Sequence, residues 1–192
     1  MKDILVDVTI EMPGLLEALD NLALNTSEDS QHALQQDIVK RCWEYDSQLL
    51  RWHSFLSSDR AFCDYIVPSE TSVESSSALE YAKLEGMSML WATCLVLYST
   101  LRSVSGDLSN LPSRTNLQQY AEKLVEAIPV LIQPSAGYYG RDIAALPLAL
   151  ALVVTVRTKS LSKEHALLME NLKGMPRKIA EGLFELVSSA EA

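Results

Sequence analysis

Basic side chains are scarce in this sequence. Its 192 residues hold 16 lysines and arginines against 25 aspartates and glutamates, so the formal net charge is −9. Proteins bind nucleic acids largely through contacts of Lys and Arg with the phosphates, and no basic run stands out here. The composition therefore argues against direct binding to nucleic acid and, for the same reason, against binding to an anionic membrane surface.

Cysteine is also scarce: the chain has Cys42, Cys63 and Cys94. This odd, widely spaced set has no CxxC pair, which argues against a disulfide framework and offers no ligands for a structural zinc ion. Cys42 and Cys94 fall on apolar helix faces, where we expect them to be small buried hydrophobic residues. Such cysteine usage is typical of a reducing compartment, so we expect an intracellular protein, cytoplasmic or nuclear.

Long apolar runs are missing as well. The longest, from Ile143 to Val156, covers 14 residues and contains Pro147. A helix that crosses a bilayer needs about 20 apolar residues, so this run predicts a buried helix and no membrane contact. The first residues, MKDILVDVTIEMPG, have acids within their apolar stretch and lack a small-residue cleavage site, unlike a signal peptide.

The motifs that usually mark catalysis or cofactor binding are absent. The sequence contains no GxGxxG, GxxxxGKS/T, GxSxG or HExxH pattern. Its three histidines, His32, His53 and His165, lie far apart, so their spacing predicts no metal site. We therefore expect neither a metal nor an organic cofactor.

What the sequence does have is apolar residues at helical spacing along nearly its whole length. Hydrophobic residues make up 48% of the chain, and a chain of this size buries roughly 70% of its unfolded surface on folding. No strand pattern competes with the helical one. The periodicity predicts an all-α protein with a single domain, residues 1–192, built as a helical bundle of about six to eight helices.

Two long helices are expected to form the middle of the bundle. They are predicted at about Ser30 to Leu56 and about Ala78 to Val104, and each carries an apolar stripe with alternating steps of four and three residues. The stripes consist of Ile38, Cys42, Tyr45, Leu49, Trp52 and Leu56 in the first helix and of Leu84, Met87, Trp91, Cys94, Tyr98 and Leu101 in the second. Such stripes favour antiparallel packing at a shallow angle, so we expect the bundle to be built round this pair.

Prolines, glycines and capping residues predict the other elements. We expect a helix at 2–24 with a break at Pro13, and an irregular, mobile surface loop at about 59–77. Thr115 and Gln118 match a capping box at the start of a helix that runs to about residue 133, with Pro129 kinking or ending it.

The same kinds of residue predict the elements in the last third of the chain. The segment PSAGYYG, residues 134–140, predicts a glycine-bounded turn. Helices are expected at about 141–157, 162–174 and 176–188, with Ser162 as the cap of the second of them.

The aromatic side chains on the two long helices have two interpretations. Aromatic stripes usually fill a core, but they also form the walls of pockets for apolar or planar ligands. In the second interpretation Trp52, Trp91 and Tyr98 bind the ligand, and Asp142 supplies a polar group at the mouth of the pocket. Asp142 has an equally simple structural role, which is to complement the dipole at a helix start.

Four residues are candidates for catalysis if the pocket is an active site. His53, beside Trp52, would act as a general base, although a lone histidine is more often a surface or lightly buried side chain. Tyr138, Tyr139 and Arg141, at the glycine turn, would supply hydrogen-bond donors to a substrate.

Three segments in this order resemble the fungal-specific transcription factor domain. DILVDVTIEMPGLLEALDNL is similar to a helix that leads into a proline, and EYDSQLLRWHSFL is similar to the family's next core helix. PSAGYYGRDIAALPLALA is similar to a late segment in which a glycine turn precedes an apolar helix. The resemblance spans most of the chain and implies an all-helical regulatory domain.

The resemblance does not carry a DNA-binding role. In that family the regulatory domain follows a binuclear zinc cluster that reads DNA, whereas this sequence has no six-cysteine cluster, no basic linker and no coiled-coil segment. The family also has no well-defined catalytic residues to transfer. The resemblance therefore implies regulation through ligand and protein contacts only.

Three functions stay open at this point. The first is a stand-alone regulatory module, or a fragment of one, that binds a small apolar ligand and acts through a protein partner or a second copy of the chain. The second is a cofactor-free cyclase or isomerase of fungal secondary metabolism, which orients a natural-product intermediate in a helical pocket. The third is an interaction protein with a filled core.

Overall fold

The computed structural model describes residues 2–25, 27–56, 65–68, 78–106, 108–133 and 137–191. These residues form seven α-helices and no strand, which confirms the predicted all-α bundle. The predicted loop at 59–77 lies outside the described residues apart from its positions 65–68.

The seven α-helices follow one another along the chain. Three short 3-10 turns, at Ser113–Thr115, Lys159–Leu161 and Leu172–Gly174, lie between the later helices. The α-helices are α1 (Lys2–Leu24), α2 (Glu28–Leu56), α3 (Ala78–Val104), α4 (Leu117–Leu131), α5 (Gly137–Arg157), α6 (Ser162–Asn171) and α7 (Arg177–Glu191).

Helix α3 is the most enclosed element of the bundle. Every residue from Leu90 to Tyr98 is buried, so no side of this stretch faces solvent. A helix that is apolar all round must be covered all round, and α1, α2, α4 and α5 all pack against it. By length and composition α3 could cross a membrane, but 78% of its most apolar window is buried inside the bundle, as in the core helix of a soluble protein.

Helix α2 packs on α3 along its predicted stripe. Cys42 Sγ lies 4.0 Å from the carbonyl of Leu97, Trp52 packs on Gly86, and Gln35 bonds the carbonyl of Val104. In these three contacts, rising residue numbers in α2 meet falling residue numbers in α3. Unlike α3, α2 has an exposed face, so it lies on the outside of the bundle.

A second group of helices is assembled on α5. This helix packs against α3, α4, α6 and α7. Ala144, Leu148, Ala151 and Leu152 are buried within it, which confirms the buried helix predicted from the longest apolar run.

The cysteines agree with the sequence analysis where they are described. Cys42 and Cys94 are free and buried. Burial raises the pKa of the Cys42 thiol to about 12, so this thiol stays protonated and unreactive at neutral pH. Cys63 lies outside the described residues.

Two predictions about prolines and the glycine turn were wrong. Helix α1 continues through Pro13 without a break, because Leu5, Val8, Met12 and Leu15 bury one face of it on both sides of the proline. Helix α5 begins at Gly137, inside the segment predicted as a turn.

The predicted caps were also wrong, for a local reason in each case. Thr115 lies in a 3-10 turn, and the cap of α4 is Asn116, whose Oδ1 accepts a hydrogen bond of 3.2 Å from the amide of Gln118. The Gln118 side chain does not complete a capping box, since the amide of Thr115 donates to the carbonyl of Pro112 at 2.9 Å, while Gln118 Nε2 donates to Glu164 at 2.8 Å. Ser162 has helical backbone angles, whereas a cap is extended, so it is the first residue of α6.

The assignment of the α4 cap can be tested by substitution. We expect Asn116→Ala to lower the free energy of unfolding by about 1 kcal/mol, because it leaves a helix-end amide without its acceptor. Asn116→Ser keeps an acceptor and should retain most of the stability. Urea unfolding followed by circular dichroism measures both, and equal stability of Asn116→Ala and the parent protein would contradict the assignment.

Candidate functional site

The aromatic residues predicted to bind a ligand lie in the core. Trp52 is 3% exposed, and Trp91 and Tyr98 are fully buried. The Trp91 ring lies 6.0 Å from that of Tyr65, and the Tyr98 ring lies 5.6 Å from that of Tyr120, both centroid to centroid. These contacts are typical of rings that fill a core.

The other predicted residues are not assembled by the described structure into one site. His53 is buried near the end of α2, whereas Asp142 is exposed in the first turns of α5. The side chains of Tyr138, Tyr139 and Arg141 lie outside the described part of the structure. The roles proposed for these residues stay predictions.

A buried ion pair, which sequence reasoning missed, joins α2 to the connection between α3 and α4. Asp46 is 2% exposed, and Arg114 donates to both of its carboxylate oxygens, from Nε to Oδ1 at 3.0 Å and from Nη2 to Oδ2 at 2.9 Å. Tyr98 donates its hydroxyl to Oδ1 at 2.6 Å. Burial raises the pKa of Tyr98, so its hydroxyl stays a donor at neutral pH.

Arg114 makes two further contacts. Its guanidinium lies 5.6 Å from the ring of Trp43, and its backbone carbonyl accepts the hydroxyl of Tyr120 at 2.6 Å. The hydrogen bond to Asp46 raises the pKa of Arg114 above its usual value, so the guanidinium stays charged at neutral pH. Every polar group of this cluster therefore has a partner, and we assign it a structural role, which is to fix the turn 113–115 against α2.

The structural role of the ion pair gives a prediction for stability. We expect Arg114→Met to lower the free energy of unfolding by about 2–3 kcal/mol, because it leaves the Asp46 carboxylate buried without its partner; the partly exposed arginine keeps the loss below that for a fully buried pair. Urea unfolding measures the change.

A matched control is the ion pair of Arg177 and Glu181, whose side chains are 90% and 57% exposed. We expect Arg177→Met to lower the stability by no more than about 0.5 kcal/mol. Equal effects of the Arg114 and Arg177 substitutions would rule out a special role for the buried pair.

A cavity of about 420 Å³ lies on the other side of α3, between α1, α3, α5 and α7. Its walls are mostly aliphatic, with polar groups from α3 and from the last turn of α5. The lining residues are Leu16, Leu19, Val96, Ser99, Thr100, Ser103, Leu146, Ala149, Leu150, Val153, Val154, Arg157, Thr158 and Leu186. Of the predicted site residues whose side chains are described, none lines this cavity.

The hydroxyl of Thr100 differs in its hydrogen bonding from those of Ser103 and Thr158, which also line the cavity. Ser103 donates to the carbonyl of Ser99 and Thr158 to that of Val154, each at 2.8 Å. Thr100 is 1% exposed, and its Oγ1 has no hydrogen-bond partner within the part of the chain that the structure describes. Burying a hydroxyl without a partner is costly, and this oxygen has under 1 Å² of accessible surface, so the unsatisfied group is an energetic cost within the bundle.

The sequence contained a weak signal for this cavity. Ser99, Thr100 and Ser103 directly follow the buried stretch of α3 from Leu90 to Tyr98. The spacing of residues along the sequence does not show that Leu16 of α1 and Val153 of α5 both line this cavity. The site therefore depends on the tertiary packing of four helices.

Comparison with known proteins does not show a family for this chain. No family model matches the chain, and neither a curated protein nor a solved structure does. Within the described residues, no group of three or more His, Cys, Asp or Glu side chains is arranged to hold a metal ion.

Proposed function

We propose that this chain is a ligand-sensing helical module that binds one small apolar molecule in the cavity between α1, α3, α5 and α7. The observation that carries the proposal is the cavity itself. Its volume of about 420 Å³ falls within the range typical of small-molecule sites. Aliphatic walls with a few polar points are also typical of such sites.

The cavity lies between helices whose packing a bound ligand would change. Its walls come from α1, α3, α5 and α7, which belong to both helical groups of the fold. A ligand that contacts all four helices would stabilise their packing and favour one arrangement of the surface over others. The module would then signal through protein contacts, because its net charge of −9 disfavours contact with DNA.

The resemblance to the regulatory domain of fungal zinc-cluster transcription factors supports the same proposal. That resemblance implies regulation through ligand and protein contacts, without a catalytic residue set. A cofactor-free cyclase or isomerase would place its substrate in a similar apolar cavity, so the two hypotheses differ in whether the bound molecule is converted.

Filling the cavity tests the proposal. Ala149 is a half-buried residue of the cavity wall, and a phenyl ring at this position would occupy space that a ligand needs. We expect the parent protein to bind the apolar dye N-phenyl-1-naphthylamine and Ala149→Phe to bind it at least about tenfold more weakly, a loss of about 1.4 kcal/mol. Dye fluorescence in a titration measures the affinity.

The matched control places the same ring elsewhere. Ala33 is exposed on α2 and lies outside the cavity, so Ala33→Phe should bind the dye like the parent protein. Ser103→Phe, at the exposed rim of the cavity, serves as a second blocking variant if Ala149→Phe fails to fold. A parent protein that does not bind the dye, or blocking variants that bind it unchanged, would refute the proposed site. Catalytic conversion of an apolar intermediate by the parent protein would favour the enzyme.

A further inference from the structure

We infer that the outward face of α1 is a docking surface for a basic amphipathic helix of a partner protein. The face is formed by exposed apolar and acidic residues of this helix, which are Val6, Asp7, Ile10, Glu11, Glu17 and Asp20. None of them lines the cavity between the four helices, so the surface does not depend on a bound ligand. The inference goes beyond the proposed ligand site, because it names the surface and the kind of protein partner through which the module would act.

Two exposed β-branched residues form the apolar part of the α1 face. Val6 and Ile10 are 48% and 67% exposed. They are four residues apart, so they lie one above the other on the same side of the helix. The residues that α1 contributes to the core, such as Leu5, Val8 and Met12, are different ones. Exposed apolar residues are common on protein surfaces, so the charges beside Val6 and Ile10 decide what this face would bind.

Two carboxylates run alongside the apolar pair. Asp7 and Glu11 each follow an exposed apolar residue by one position and are also four residues apart. The Tyr45 hydroxyl of α2 lies 3.5 Å from Glu11 Oε2, which places this carboxylate on the side of α1 that faces α2. Both carboxylates line an open groove of about 430 Å³ between the two helices, together with Val8, Ile10, Tyr45 and Gln48.

The acidic residues of α1 have few cations near them. The helix contains five acidic residues and one basic residue, Lys2. Within the part of the chain that the structure describes, no ion pair involves Asp7, Glu11, Glu17 or Asp20. Several like charges along one helix produce a negative potential at its surface, which attracts a positively charged partner.

Carboxylates on other helices have a cation close by. Glu126 of α4 pairs with Lys123 at 3.0 Å. Arg41 of α2 approaches α1 near Gly14, yet it pairs with Asp37 of its own helix at 3.9 Å. The carboxylates of α1 differ from these in that a partner's lysine or arginine would pair with them without first breaking an ion pair.

A basic amphipathic helix fits the α1 face in length, shape and charge. Residues 6–20 span about 21 Å at 1.5 Å per residue, which is the length of a partner helix of about 14 residues. The apolar stripe of such a helix would cover Val6 and Ile10, and flanking lysines or arginines would pair with Asp7 and Glu11. Exposed ion pairs are individually weak, so burial of the apolar residues supplies most of the affinity, whereas the charges select the partner. The same carboxylates repel an acidic helix.

Two designed peptides with opposite charge serve as probes. LKKLLKLLKKLLKL forms a helix with one leucine face and one basic face, whereas LEELLELLEELLEL keeps every leucine and reverses every charge. We expect the parent protein to bind the fluorescein-labelled basic peptide and to bind the acidic peptide at least about tenfold more weakly, as measured by fluorescence anisotropy. Raising NaCl from about 50 mM to about 300 mM should weaken binding of the basic peptide, because salt screens exposed charges.

Substitutions on α1 test the acidic and apolar parts of the face separately. Asp7→Lys combined with Glu11→Lys should weaken binding of the basic peptide at least about fivefold, because two attractions become repulsions. Ile10→Gln should weaken it about threefold to tenfold, because less apolar surface is buried. If circular dichroism shows that charge reversal unfolds the protein, Asp7→Asn combined with Glu11→Gln replaces it and should weaken binding about twofold to fivefold.

Matched controls change the same properties at other places. Glu170→Lys combined with Glu185→Lys alters the net charge by the same amount, at exposed positions of α6 and α7. Phe184→Gln removes a ring that is 57% exposed and lines another open groove, on α7. All these variants should bind the basic peptide like the parent protein.

Two results with these controls would overturn the inference. If the charge reversal at Glu170 and Glu185 weakens binding as much as that on α1, the peptide responds to net charge and not to a specific surface. If Phe184→Gln weakens binding while Ile10→Gln does not, the peptide docks on α7.

The cavity variant separates this inference from the proposed function. Ala149→Phe, which blocks the cavity, should bind the basic peptide like the parent protein. A parent protein that binds the basic peptide on α1 but not the dye would refute the ligand site and support the docking surface. A parent protein that binds the dye but not the basic peptide, or that binds both peptides equally well, would overturn the docking surface and leave the ligand site intact.

Discussion

The whole fold depends on the burial of one helix on every side. Nine consecutive residues of α3, from Leu90 to Tyr98, have no contact with solvent, and a helix distributes nine residues over all of its faces. Hydrophobic burial therefore requires a complete cover, which α1, α2, α4 and α5 provide. The remaining helices, α6 and α7, pack on α5 and do not reach the centre to the same extent. The arrangement explains why a long apolar helix is compatible with a chain whose net charge is −9.

Two buried polar groups of this core differ in whether they have hydrogen-bond partners. Asp46 carries a charge in a buried position, and Arg114 and Tyr98 satisfy it with three hydrogen bonds. Such saturation is what a structural ion pair needs, because an unpaired buried charge would destabilise the fold. Thr100 lies on the same helix as Tyr98, lines the cavity and has no partner among the described residues. The first arrangement holds the protein together, whereas the second is an energetic cost within the bundle.

The sequence and the structure point to different places for a ligand site. The sequence predicted a site at Trp52, Trp91 and Tyr98, which are buried in the core, and none of them lines the cavity. The cavity lies instead where α3 meets α5 and α1, at positions occupied by smaller side chains such as Ser99, Ala149 and Val153. Large rings fill the space between helices, whereas smaller residues leave it open. A pocket in a helical bundle is therefore better sought where small residues from several helices converge.

The amino-acid sequence by itself determined which segments are helical and which face of each is buried, because the 3.6-residue periodicity of apolar side chains is a local property. It predicted α1 and α3 to their end residues and the burial of the stripe from Leu84 to Leu101. It did not predict the cap at Asn116, the unbroken helix at Pro13 or the ion pair of Asp46 and Arg114. The unbroken helix depends on packing that outweighs a local preference, and the ion pair depends on groups far apart in the chain, whereas the cap was missed by one residue because of the local 3-10 turn at Ser113–Thr115. The cavity is of the same kind: four helices must pack before its walls exist, so only the tertiary structure decided where a ligand could bind.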